Sequence, residues 1–387
     1  MSKTYVPVNG SVVQWALEES GLTLAELADK IEVGPTKIRR WIDGSAQPSQ
    51  GEFTRLVDEL KRPSALFFAE RVPTSSSLPE SLRSAPGRYG HKLKEEERRW
   101  VRRSLRLQKL LSYLGSQHNT SVDLPHVPRH ESPESAALTV REWLDVRLTD
   151  QTAQESGIEA WRFWRERFED RGLLVFVLQL GPDNIRGFSS WDEVAPVIAV
   201  NAAYNPQARI FTAFHELGHL SLRSRAACAD LALYLRSRQS PKDVEEEHWC
   251  EEFAATALLP RKEVLEYVDQ VKLLAVDGFE LAKDVADHFN VSIRAAAVRL
   301  IRLEIEDKEL YGLVNEKARV WDRSKGLARG PSPNRVRRRV NEYGSPAVKE
   351  LISGSAQGLL NLRDLRDYLR MDTTEVDEIS GLLGVGG

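Results

Sequence analysis

The sequence predicts an α+β fold, mainly helical with a small sheet, and three observations predict it. Apolar residues recur at helical spacing through residues 10–70, again through 94–171, and after residue 240. Short apolar runs near residues 173–178, 186–189 and 196–201 read as strands. A His-Glu-x-x-His motif, His215 to His219, follows the last run on a segment that itself reads as a helix.

The chain's 387 residues allow two or three domains, and 41% hydrophobic with 29% charged residues is the composition of a soluble globular protein. The stretch MSKTYVPVNGSVVQW has no cationic start followed by an apolar run, so no secretory signal is expected. No stretch approaches the ~18 apolar residues of a membrane span, and no membrane partner is expected. Cys228 and Cys250 make no disulfide framework, and the expected compartment is the reducing cytoplasm.

The net charge of −3 hides a pattern. Residues 1–72 carry 9 Lys/Arg and 10 Asp/Glu, residues 81–110 carry 10 and 3, and residues 315–340 carry 9 and 2. Two basic blocks in an otherwise acidic chain either meet a polyanion or cover acidic faces of their own fold.

Residues 1–72 read as a domain of short helices. Thr23 followed by Glu26 is a capping box, and Leu24, Leu27, Ala28 and Ile31 form an apolar stripe behind it. After the turn Glu32-Val33-Gly34, Pro35 suits the first position of a second helix, which Gly44 ends. Two short helices and a tight turn make a helix-turn-helix. With Leu27-Ala28 before the turn, Trp41, Gly44, Pro48 and the apolar helix through Phe53, Leu56 and Leu60, the segment resembles the Xre/Cro-type helix-turn-helix family. The resemblance implies a second helix lying in the DNA major groove, with Thr36, Lys37 and Arg40 facing DNA, Arg39 near phosphate, and Ile38 and Trp41 facing the core. The near-neutral charge of this segment leaves a purely protein-binding role open.

Residues 73–93, rich in Ser, Pro and Gly, read as a linker, and 94–150 as a helical connector that starts with a basic helix. Residues 151–310 hold the strands and the His-Glu-x-x-His helix. A sheet of this kind exposes an edge strand able to pair with an extended peptide.

Four residues make about one helical turn, so His215 and His219 emerge on one face and can share a metal ion. Glu216, about 100° around the helix, is placed to act as general base on water. A catalytic zinc needs a third protein ligand from elsewhere and an open position. By chance the motif arises in roughly one chain in a hundred of this size, so a second element must support it. Gly218 costs about 1 kcal/mol relative to alanine inside a helix. The expected reason for it is close approach by a neighbouring strand or by substrate.

The second element is the helical text Val244–Pro260, with Trp249, Cys250, Phe253, Ala254 and Ala257 on its core face. FTAFHELGHL followed by EHWCEEFAATALLP is similar to the ImmA/IrrE family of metallopeptidases. The resemblance implies a zincin-like domain with one Zn2+ ion, held by His215, His219 and the glutamate six residues before Phe253-Ala254, which is Glu247. One turn later, where that family usually has Asn, stands Glu251, whose implied role is to accept the outer N–H of a ligand histidine. Glu245, Glu246 and His248 compete as ligands on residue type alone. Tyr234 and His288 are candidates for stabilising the oxyanion.

Residues 281–301 again read as helix–turn–helix text, with Ser292 as an N-cap, expected to pack on the catalytic domain. Residues 311–387 read as a basic segment and a C-terminal helical region without assignable chemistry. The combined expectation is a DNA-binding regulatory zinc metallopeptidase that cuts a repressor-type protein or itself. The alternative is a transcriptional regulator or antitoxin-like DNA-binding protein whose metal site is structural or weakly active. Expected partners are operator DNA, a protein substrate or cognate partner from a neighbouring gene, and a second copy of the chain.

Overall fold

The computed structural model describes residues 5–20, 22–60, 64–68, 94–223, 241–271, 275, 277–324 and 334–384. Contacts divide the chain into two compact units, an N-terminal one and a larger one that starts at Arg103 apart from a short stretch outside the described residues. The described residues are mainly helical, with one three-stranded sheet in the larger unit, as the sequence predicts.

The N-terminal unit contains α1 (Gly10–Ser20), α2 (Leu24–Ile31), α3 (Pro35–Ile42) and α4 (Gln50–Leu60). Thr23 caps α2: its Oγ accepts from the Glu26 N–H at 3.2 Å, while Glu26 accepts from the Thr23 N–H at 2.6 Å. The helix ends at Glu32, whose φ of 55° turns the chain toward Pro35. Ile38 and Trp41 are fully buried on α3, so its core face is the one their spacing predicts. Gly10 has no room for a side chain, because a Cβ there would meet the Ile42 carbonyl oxygen at 2.1 Å. That close approach locks α1 onto the end of α3.

In the larger unit, β1 (Leu174–Leu178), β2 (Gly187–Ser190) and β3 (Val197–Asn201) form a sheet in the order β1-β3-β2. β1 runs parallel to β3, and β2 runs antiparallel to it on the edge. Side chains alternate across the sheet. Val175, Val177, Ile198 and Val200 enter the main core with Trp164 and Phe168 of α8 (Gly157–Asp170) and Phe214 of α9 (Pro206–Ser221). Phe176 points to the other face, against Tyr343 of a C-terminal helix, with ring centroids 5.9 Å apart. Burial on both faces explains why these strands read as continuous apolar runs rather than alternating ones.

α9 opens with Asn205, whose side chain accepts from the Ala208 N–H at 2.8 Å, and with Pro206 at its first position. It packs against α10 (Pro241–Leu258), which also receives α6 (Pro133–Leu144). The segment 94–150 thus supplies, in α6, residues Ala136, Ala137, Val140 and Leu144 to the same core as the sheet. Helices α12 (Gly278–His288) and α13 (Ile293–Arg302) pack together around Asn290 at φ 55°, with Ser292 capping α13. Leu281, Val285, Ala296 and Leu300 join the main core, the packing role expected of this helix–turn–helix text.

The C-terminal helices α15 (Arg335–Tyr343), α16 (Ser345–Ala356), α17 (Leu362–Leu369) and α18 (Thr373–Leu383) form a group that meets the sheet through α15 on β1. Part of the basic charge is spent internally. Arg335 pairs with Glu375 at 3.3 Å, Arg339 pairs with Glu342, and Lys317 pairs with Asp277 at 3.5 Å. Arg103 of the first basic block donates to the Tyr368 carbonyl at 2.9 Å and lies over the Tyr343 ring. For these residues, covering their own fold is the reading that holds.

A buried polar cluster ends α10. Arg141 donates to Gln151 Oε1 at 2.8 Å and to the Ala257 carbonyl at 2.7 Å. Gln151 Nε2 donates in turn to the carbonyls of Leu258 at 2.9 Å and Phe289 at 2.8 Å. These bonds satisfy carbonyls that a helix terminus leaves without partners. Gln151→Leu strips both carbonyls of their donor and should destabilise the protein by about 2–4 kcal/mol, read by denaturant titration.

Candidate metal centre and nucleic-acid interface

The histidines of α9 and one carboxylate of α10 converge. Glu247 Oε1 lies 3.0 Å from His219 Nε2, and Glu247 Oε2 lies 3.4 Å from His215 Nε2. The three donor atoms all lie within 4.8 Å of one another. The two imidazoles meet edge to face, 4.9 Å between centroids, as residues four apart on one helix face should. Two imidazole nitrogens and one carboxylate are a donor set that fits zinc with an open position.

Gly218 makes this convergence possible. A Cβ there would sit 3.2 Å from both Cys250 Sγ and Phe253 Cδ1. Its close neighbour is therefore helix α10, not the strand or substrate expected from the sequence. Cys250 is fully buried at this crossing, so its role is packing.

The structure places Glu251 differently from expectation. Glu251 makes no hydrogen bond with either histidine; Glu246 takes that position, its Oε1 3.3 Å from His219 Nδ1. Glu246 precedes Glu247 by about 100° around α10, which turns it onto the flank of α9 where His219 presents its outer nitrogen. Arg129 completes the chain of contacts, with its Nη1 2.8 Å from Glu246 Oε2. Glu246 was legible only as one acid in a run of acids, and Arg129 carried no signal at all.

Glu216 reaches β2. It is buried, and Ser189 Oγ donates to its Oε2 at 2.8 Å. Gly187 gives α9 room against this strand, since a Cβ there would reach Ala199 O and Thr212 Cγ2 at 2.6 Å and Glu216 Oε1 at 3.5 Å. The Asn201 N–H donates to the Arg186 carbonyl at 2.7 Å, which sets the alternation of the ladder. Phe188 and Ser190 then bond to β3, while the N–H and C=O groups of Gly187 and Ser189 point away from it, to the outer edge of β2. Among the described residues no strand pairs with that edge.

Of the two oxyanion candidates, Tyr234 lies outside the described residues. His288 lies flat on Tyr267 with centroids 3.9 Å apart, and burial pushes its imidazole below the ordinary value. This stacked position in α12 is a packing role, outside the group of converging ligand atoms.

In the N-terminal unit, Thr36, Lys37 and Arg40 line one groove of about 730 Å³ with Tyr5, Ala46 and Gln47. Arg39 lies outside that lining, on the neighbouring exposed flank of α3. Tyr5, missed in the sequence, is held there by an antiparallel bridge to Ser49 and by the Val6 N–H donating to the Pro48 carbonyl at 2.8 Å. Lys37 is engaged within the unit by an ion pair with Glu52. Burial opposes ionisation of Glu52, but the Lys37 ammonium and hydrogen bonds from Ser49 outweigh it and hold the carboxyl at about 2.

Residues 168–301 match the peptidase M78 family, described as the IrrE N-terminal-like domain, and residues 13–67 match a helix-turn-helix family. The chain therefore joins an Xre-type helix-turn-helix domain to an ImmA/IrrE-like domain of a metallopeptidase family. No curated protein matches. Among solved structures, a Mycobacterium tuberculosis transcriptional regulator is 18% identical over 50% of this chain and 52% of its own, with a TM-score of 0.31. The match thus spans about half the length of that protein. No described helix is long and apolar enough to cross a membrane.

Two outcomes are expected. The protein should bind one zinc ion per chain by elemental analysis after dialysis, and His219→Ala should reduce this to a small fraction. Glu52's lowered carboxyl stabilises the N-terminal unit above about pH 4.5, and that contribution is lost as pH falls toward 2. Acid loss of the α3 and α4 amide signals in NMR should therefore flatten in Glu52→Gln.

Proposed function

We propose that the chain is a DNA-binding regulatory zinc endopeptidase that hydrolyses a peptide bond in a repressor-type protein or in itself. The observation that carries this reading is the convergence of His215, His219 and Glu247, with Glu216 of the same helix hydrogen-bonded to Ser189 of the edge strand β2. The family matches support the two halves of it, and the repressor-type substrate follows from the ImmA/IrrE resemblance and the attached DNA-binding domain. The place of action is the cytoplasm, where operator DNA and such a substrate meet.

A zinc ion held by His215, His219 and Glu247 would supply Lewis acidity toward water and a carbonyl oxygen. The chain's own residues do the rest. An extended substrate adds to β2 through the backbone groups of Gly187 and Ser189, which brings its scissile bond beside Glu216. Ser189 donates to Oε2 of Glu216, and this carboxylate takes the proton from attacking water. The same carboxyl then returns that proton to the departing amine nitrogen.

On the DNA side, Thr36, Lys37 and Arg40 read the major groove, with Arg39 at phosphate. Glu52 holds Lys37 back and cancels its charge, which moderates affinity.

Glu216→Gln should retain zinc and lower cleavage of the neighbouring gene's product, or of the chain itself, by about 10²-fold or more in a gel-based assay. Cleavage surviving in that variant, or absent from wild-type protein with zinc bound, would favour a transcriptional regulator with a structural metal site. In fluorescence anisotropy with operator DNA, Lys37→Ala with Arg40→Ala should weaken binding. Glu52→Gln should tighten it and steepen the log–log salt dependence by about one.

A further inference from the structure

The segment before α6, residues 122–131, lies outside the family match and crosses both helices of the metal group. The Val127 N–H donates to the Ser221 carbonyl at the end of α9, at 2.9 Å. Arg223, just beyond α9, donates to the Leu124 carbonyl at 2.9 Å. Trp249 of α10 donates from Nε1 to the Glu131 carbonyl at 2.9 Å. Leu124 and Val127 are 3% exposed, so the strap is part of the core and not a loose overlay.

Between these anchors, Arg129 reaches back to Glu246. The guanidinium is 59% exposed on its side chain, whereas the Glu246 side chain is 6% exposed. A buried carboxylate placed between a guanidinium and an imidazole uses one oxygen for each: Oε2 for Arg129 at 2.8 Å and Oε1 for His219 Nδ1 at 3.3 Å. An acceptor at Nδ1 places the ring proton there and leaves the Nε2 lone pair aimed at the position that Glu247 also faces.

We propose that Arg129 and Glu246 are positioning residues for the metal, acting through His219, and that the 122–131 strap thereby sets how tightly the centre holds its ion. The proposal rests on the metal reading of His215, His219 and Glu247, and is independent of peptidase activity and of DNA binding. Arg129 fixes the carboxylate, Glu246 fixes the tautomer and ring plane of His219, and the strap's bonds to α9 and α10 keep the spacing of the two helices constant around them.

The test is zinc titration of the metal-free full chain against a chromophoric chelator, with the visible spectrum of the cobalt(II)-substituted protein as a second readout. Glu246→Ala should weaken zinc binding by about 10–100-fold and shift the cobalt bands. Glu246→Gln, which keeps a neutral acceptor, should lose less. Arg129→Ala should show a smaller loss, restored in part by Arg129→Lys. Thermal melts of the metal-free variants should match wild type, which separates positioning from a general loss of fold. Wild-type affinity and an unchanged cobalt spectrum in Glu246→Ala, with His219→Ala binding no zinc, would overturn the proposal while leaving the metal centre intact. Absence of zinc binding in the wild type would overturn both.

Discussion

The crossing of α9 and α10 at Gly218 is the contact on which the site depends. With Cys250 and Phe253 packed against a residue that has no side chain, the two helices approach closely enough for one carboxylate to face two imidazoles. Phe214, on the buried side of α9, packs edge to face on Trp164 at 4.8 Å and on Phe168 at 5.2 Å, so the same helix is held from behind by α8. A helix fixed on both sides presents its histidines without freedom to splay, which is the preorganisation a metal centre needs.

Three glutamates gather around this crossing, and environment separates them. Glu247 faces both Nε2 atoms, Glu246 faces the outer nitrogen of His219 and the Arg129 guanidinium, and Glu216 faces Ser189 on the edge strand. Residues of the same chemistry thus meet different partners by the direction in which a helix turn aims them. The glycines are placed with equal economy. Gly218 admits α10, and Gly187 admits α9.

The N-terminal unit has a different balance of charge and shape. Its charge is nearly neutral, and Lys37 of α3 is paired with Glu52, so little net positive charge is left there to attract phosphate. The groove formed by Tyr5, Thr36, Lys37 and Arg40 offers shape and hydrogen-bonding groups more than charge. Further along the chain, Arg103, Lys317, Arg335 and Arg339 are engaged with acids, a carbonyl and a ring of their own unit.

Local features of this protein were legible in its sequence because each depends on residues within about one turn or one strand of one another. The capping box at Thr23, the caps at Asn205 and Ser292, the buried Ile38 and Trp41, the three strands and the paired faces of His215 and His219 all follow from short-range periodicity and stereochemistry. What tertiary structure alone decided are relations between elements. Which of four neighbouring polar residues on α10 would face α9, that Glu246 and not Glu251 would meet His219, that Gly218 would receive a helix, and that Arg129 would meet Glu246 and Ser189 would meet Glu216 all depend on how two faces meet in space. Sequence spacing specifies the angle of a side chain around its own helix, but the partner's rotation and depth are set only when the whole core packs.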